Sequence, residues 1–113
     1  MDLREEAVAD VTVVAVEGRL DTQTAGHFSK RLTELVRSGH PRVLVEGSSL
    51  NYVSSAGFHA LLMAAKLATE SGGALAVCGL SAPIKRIVEI GGFDQLFETY
   101  NSREEALAKL TAS

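Results

Sequence analysis

A chain of 113 residues suits one domain with one hydrophobic core. Apolar residues make up 46% and charged residues 22%, and 11 basic against 14 acidic side chains leave a net charge of −3. No block of Lys and Arg invites nucleic acid or an anionic membrane, and the apolar runs, broken by His59 and Lys66, are too short to span a bilayer. The start, Met1 to Glu6, carries charge instead of an apolar block, which argues against a signal peptide. Cys78 is the only cysteine and sits in an apolar run as a small buried hydrophobe, so a cytoplasmic location is expected.

Leu3 to Val8 alternates weakly and reads as a short edge strand, with Ala9-Asp10 as a tight turn. Val11 to Val16 is a β-branched run and pairs back on it as an antiparallel hairpin. Gly18 to Thr22 ends that strand, with Asp21 or Thr22 as the cap of a helix whose stripe is Ala25, Phe28, Leu32, Leu35 and Val36. Gly39 and Pro41 stop this helix. Arg42 to Glu46 is a covered strand, and Gly47 to Asn51 reads as loop. A second helix runs from near Ser55 to about Glu70 and ends at Gly72-Gly73; Ala74 to Gly79 is another buried strand. Ser81 caps a third helix with Pro83 in its first turn, and Ile84, Ile87, Val88 and Ile90 form its apolar face. Phe97 to Tyr100 suggests a short last strand, and the capping box Ser102 to Glu105 opens a final helix with Ala106, Leu107 and Leu110 inward. The alternation predicts an α/β fold, residues 1–113 forming a single domain. Its mixed central sheet has the N-terminal hairpin antiparallel and the strands near 11–17, 42–46 and 74–79 parallel, with about four helices.

The junction Asn51 to Leu67 is the informative stretch. Ser54 and Ser55 stand where a helix begins, and a serine there either caps the first turn or offers a hydroxyl at which a phosphate is tolerated. Catalytic parts are missing. Gly57 follows Ser55 as in a nucleophile elbow, but Val53 precedes it, and His27, His40 and His59 sit in ordinary settings. No paired histidines, second cysteine or acidic run suggests a metal, and Gly72-Gly73 and Gly91-Gly92 form no phosphate-binding loop, so no cofactor is expected. At 100° per residue Phe58, Leu61, Leu62 and Ala65 share the core side of the second helix. Met63 falls opposite, with Ala60 and Leu67 beside it and His59 and Lys66 flanking. Either another helix covers that stripe or it is a docking surface that begins at Ser55.

Three segments then carry a resemblance. Gly18-Arg-Leu-Asp-Thr-Gln-Thr-Ala25, Tyr52-Val-Ser-Ser-Ala-Gly-Phe58 and Val77-Cys-Gly-Leu-Ser-Ala-Pro-Ile-Lys-Arg86 resemble bacterial anti-sigma factor antagonists, the single-domain STAS proteins, in order and spacing from about Leu3 to Leu110. The resemblance implies a regulatory binding module and no enzyme. Ser55 matches the serine that a combined serine protein kinase and anti-sigma factor phosphorylates; the unphosphorylated form binds that partner and frees its client. A metal-dependent serine phosphatase reverses the mark. Asp21 matches an acidic residue near the phosphosite, and the Gly79-Leu80-Ser81 loop belongs to the same end of the sheet. Together with the outer face of the second helix, this gives the expected partner-binding set Asp21, Thr22, Asn51, Tyr52, Ser54, Ser55, Ala56, Gly57, His59, Met63, Lys66, Gly79, Leu80 and Ser81, with no nucleic acid or membrane partner. Ser54 stands where many members have Asp, which leaves both serines open as acceptors; Ser55 is favoured because it aligns to the motif without a gap, with Ser54 the less favoured, and Glu46-Gly47 replaces an Asp-Leu-type pair. The alternative function is a STAS scaffold subunit of a transporter or multiprotein sensor complex; a small hydrolase would need ester turnover.

Overall fold

The computed structural model describes residues 1–111. Strand β1 (Asp2–Val8) runs antiparallel to β2 (Val11–Leu20) across the two-residue turn Ala9-Asp10. Ala9 has φ 54, a left-handed conformation that its Cβ opposes and glycine accepts. Ala9→Gly is therefore expected to stabilise the protein by about 1 kcal/mol, read from the denaturant midpoint.

Strand β3 (Arg42–Glu46) lies parallel to the first half of β2; β5 (Ala74–Cys78) lies parallel to β3, and β6 (Glu98–Tyr100) parallel to β5, giving the order β1-β2-β3-β5-β6. The strand β4 (Leu50–Val53) lies off this path and pairs in parallel with Gly18 to Leu20, past an irregularity at Gly18/Arg19. Two expectations are corrected here. The first long strand continues to Leu20, and Leu50 and Asn51 belong to a strand instead of a loop. Leu50 and Val53 are buried while Asn51 and Tyr52 are exposed, a pattern with no period of two, so only the pairing with β2 defines the element.

Period-two alternation in β2, β3 and β5 splits the core. Val14, Val16, Val43, Val45, Leu75 and Val77 pack with Phe28 and Leu32 of α1 (Ala25–Arg37), Phe58 and Leu61 of α2 (Ser55–Glu70), and Ile84 and Val88 of α3 (Ala82–Ile90). Val11, Val13, Leu44, Ala76 and Cys78 pack on the opposite face with Ala106 and Leu110 of α4 (Arg103–Thr111). Glu5 of β1 pairs with Arg31 of α1, and Glu6 with Arg103 of α4 at 3.3 Å, so neighbouring edge residues reach the two faces.

The helix ends follow local chemistry with two exceptions. Gly39 closes α1 at φ +99, the amide of His40 donating to the carbonyl of Leu35 at 3.0 Å. Ser102 Oγ accepts from the amide of Glu105 at 3.2 Å at the start of α4. Neither Asp21 nor Thr22 is the cap of α1: Thr24 holds that position without a side-chain bond to the helix, its hydroxyl accepting from the amide of Asp21 and donating to the carbonyl of Arg19, both at 2.9 Å, and Asp21 organises the preceding turn. Ser81 begins α3, likewise without a side-chain cap bond. The expected apolar face of α3 is half right. Ile84 and Val88 are buried, but Ile87 and Ile90 are exposed because they lie off the narrow line along which this nine-residue helix meets the core.

Cys78 is fully buried; burial, then the nearby Glu46 carboxylate, pushes its thiol up to about 11. The thiolate is the reactive form, so the native protein should resist iodoacetamide at pH 8 and label only when denatured, as mass spectrometry would show. No helix among the described residues is long and apolar enough to cross a membrane.

Candidate functional site

The loops that follow β2, β4 and β5 gather at the carboxyl ends of the strands, where open α/β sheets place their functional surfaces. Backbone bonds fix them. The amide of Ser54 donates to the carbonyl of Leu20 at 2.9 Å, tying the start of α2 to the end of β2. Gly47 donates to Cys78 at 2.8 Å and Gly79 to Tyr100 at 3.1 Å, while Glu46 takes the amide of Ser48 at 3.0 Å. Thus the Glu46-Gly47 pair forms a closed turn against Gly79, which adopts φ +72. Leu80 packs against the core and Ser81 is exposed at the head of α3.

The two serines divide the work. Ser54 is the N-cap of α2, its Oγ accepting from the amide of Gly57 at 3.3 Å. Ser55 is the first helical residue and is exposed; its hydroxyl makes no hydrogen bond among the described residues. A phosphate on it would lie at the positive end of α2. Ala56 is half-buried, and Gly57 is buried against Leu20. Asp21 is occupied with its own turn: its carboxylate takes the amides of Gln23 and Thr24 at 3.0 and 3.2 Å and Arg19 at 3.4 Å. Partial desolvation opposes ionisation there, but these bonds win and hold the carboxyl below its usual range. Thr22 is exposed beside it.

The outer stripe of α2 is covered by a neighbouring helix only in part. Helix α1 covers Ala60, which is buried, and partly covers Leu67, yet Met63 remains 47% exposed, with His59 and Lys66 exposed beside it. Leu62 is only half-buried, whereas Ala64 and Ala68 join Ala60 inside. The buried arc is turned toward α1 because α2 packs between that helix and the sheet. A shallow groove of about 400 Å³ runs between Ala25, Gly26, Ser29, Ala56, His59, Ala60 and Met63. Another of about 280 Å³ continues past Met63 to Arg37, Lys66 and Glu70. The larger clefts, about 520 Å³ each, do not touch Ser55. Met63→Glu should weaken partner binding at least tenfold in a titration while stability stays within about 0.5 kcal/mol; a large fall in melting temperature would make the side chain core.

Asn51 and Tyr52 are exposed on β4, apart from this groove. The guanidinium of Arg19 stacks over the Tyr52 ring at 4.2 Å, beside buried Leu20 and Val53, which point into the α1–α2 core. Arg19 escaped sequence reasoning. Its signal, a cross-strand partner in Tyr52, exists only once β4 is known to be a strand. Among the described residues no group of His, Cys, Asp and Glu could hold a metal ion.

The STAS domain pattern matches residues 3–106 of this chain. The chain belongs to the STAS domain family. This STAS protein is 31% identical, over 96% of its length and 93% of the relative's, to the Bordetella bronchiseptica protein named anti-sigma factor antagonist BtrV. Its fold is similar to the crystal structure of an anti-sigma factor antagonist of Thermotoga maritima, with a TM-score of 0.90, 19% identity and coverage of 96% and 93% of the two chains. It is also similar to the Bacillus cell fate determinant SpoIIAA in its phosphorylated form, with a TM-score of 0.73, 15% identity and coverage of 96% and 98%. Both likenesses concern the fold.

Proposed function

We propose that this STAS protein is an anti-sigma factor antagonist that works by partner switching in the cytoplasm and has no catalytic activity of its own. Unphosphorylated, it binds a serine protein kinase that is also an anti-sigma factor and displaces that partner's client. Phosphorylation of Ser55 ends the binding, and a metal-dependent serine phosphatase restores it. The observation that carries the reading is the division of the serines: Ser54 is committed to capping while Ser55 offers a free hydroxyl at the head of α2. The relatives' names and the phosphorylated fold neighbour support the same reading. The docking surface takes in the Asp21-Thr22 turn, Asn51, Tyr52, the Ser54 to Gly57 turn, His59, Met63, Lys66 and the Gly79 to Ser81 loop. Incubation with ATP and the serine kinases of its own organism, followed by phosphate mapping, tests it. The expected result is stoichiometric phosphate on Ser55; phosphate on Ser54, or on neither, would overturn the assignment.

A further inference from the structure

Helix α3 buries Ile84 and Val88 and leaves the rest of its apolar side chains in solvent. Ile90 is 75% exposed and Ile87 49%. Pro83, also exposed, precedes Ile87 by one turn. Spacings of four and three residues put all three on one stripe. A single exposed isoleucine is ordinary, but a stripe along a helix is the feature by which helices pack. Arg86 and Glu89 lie together on the flank of this stripe away from the core, and neither makes an ion pair or hydrogen bond among the described residues. Lys85, by contrast, is tied to Asn101 at 2.7 Å.

We propose that α3 is a self-association surface: two copies pack their α3 helices antiparallel about a two-fold axis, Ile87 of one against Ile90 of the other, with Arg86 of each paired to Glu89 of the second copy. The charges select this occupant. With Ile87 opposite Ile90, the two-fold keeps both polar flanks on the same side of the contact. It sets Arg86 of one copy about 3 Å along the helix axis from Glu89 of the other, at 1.5 Å rise per residue. A foreign surface of one sign would attract one of the two charges and repel the other, whereas a second copy satisfies both. The contact is smaller than the roughly 800 Å² per partner of a standard interface, so the dimer is weak and depends on concentration. It owes nothing to the reading of Ser55.

Sedimentation equilibrium of the whole chain from about 10 μM to 1 mM tests this. The expected result is a dimer fraction that rises with concentration, is weakened at least tenfold by Ile90→Lys, is weakened severalfold by Arg86→Glu, and is restored by Arg86→Glu with Glu89→Arg. These positions are exposed, so melting curves of all variants should match the wild type. A monomer throughout the range, or a dimer indifferent to Ile90→Lys, overturns the proposal. Charge variants that do not rescue one another reject the antiparallel pairing. A purely monomeric protein whose kinase binding falls with Ile90→Lys would give the stripe to the kinase instead.

Discussion

Phosphorylating Ser55 should weaken binding to the proposed kinase partner by about thirty- to a thousandfold, about 2–4 kcal/mol, and leave the domain folded. A phosphoserine carries about −1.5 to −2 charges at neutral pH. Within the protein those charges meet the positive end of α2 and the amides of its first turn, which favours them. Within an interface shaped for a neutral hydroxyl they must be stripped of water. Ser55→Ala should bind the kinase and resist phosphorylation without losing a cap, because Ser54 supplies it. Ser54→Ala should instead cost about 1 kcal/mol of stability. Ser55→Asp, with less charge than phosphate, should fold normally and bind with a partial defect. Titration of each form against the kinase, with melting curves alongside, reads all of these. Equal affinity of the phosphorylated and unphosphorylated proteins would sink the switch and favour a scaffold.

Gly57→Ala should destabilise the protein by about 1–3 kcal/mol, against the usual trend for helices. A glycine inside a helix ordinarily costs about 1 kcal/mol relative to alanine, so the replacement would normally help. Here an added Cβ would come within 2.4 Å of the carbonyl oxygen of Leu20 and 2.9 Å of Val53. The first contact is with backbone already engaged by Ser54, which has nowhere to go. Relief requires lifting the first turn of α2 and shifting Ser55 with it, so phosphorylation should slow as stability falls. Gly26→Ala in α1 is the control: nothing lies within 4 Å of its Cβ position, and it should stabilise by about 0.5–1 kcal/mol. Denaturant midpoints measure both, and a neutral or stabilising Gly57→Ala would show that this close approach is slack.

Elements whose neighbours follow from their own pattern were legible in the sequence. The β-branched run of β2, the apolar runs of β3 and β5, and the stripe of α1 all state their burial locally, and the three segments that resemble STAS proteins placed Ser55 at a helix start. What the sequence hid depends on partners distant in the chain. β4 has no alternation and exists through its pairing with the extension of β2. The inward turn of Ala60 and outward turn of Leu62 follow from where α1 lies, which no property of α2 fixes. Ile87 and Ile90 looked like core because periodicity counts apolar residues and cannot tell which of two stripes the sheet takes. The choice between Ser54 and Ser55 as cap turned on a shift of a single residue, below the resolution of helix-boundary reasoning.

The turns after β2, β4 and β5 come from residues near 21, 55 and 79, held together only by the finished sheet. In the unfolded chain that surface does not exist. A ligand that binds it binds the native state alone, and mass action then adds RT ln(1 + [L]/Kd) to stability, about 2.7 kcal/mol at a hundredfold excess over Kd. Occupancy and thermal resistance are thus coupled, and release of the ligand returns the chain to its lower melting point.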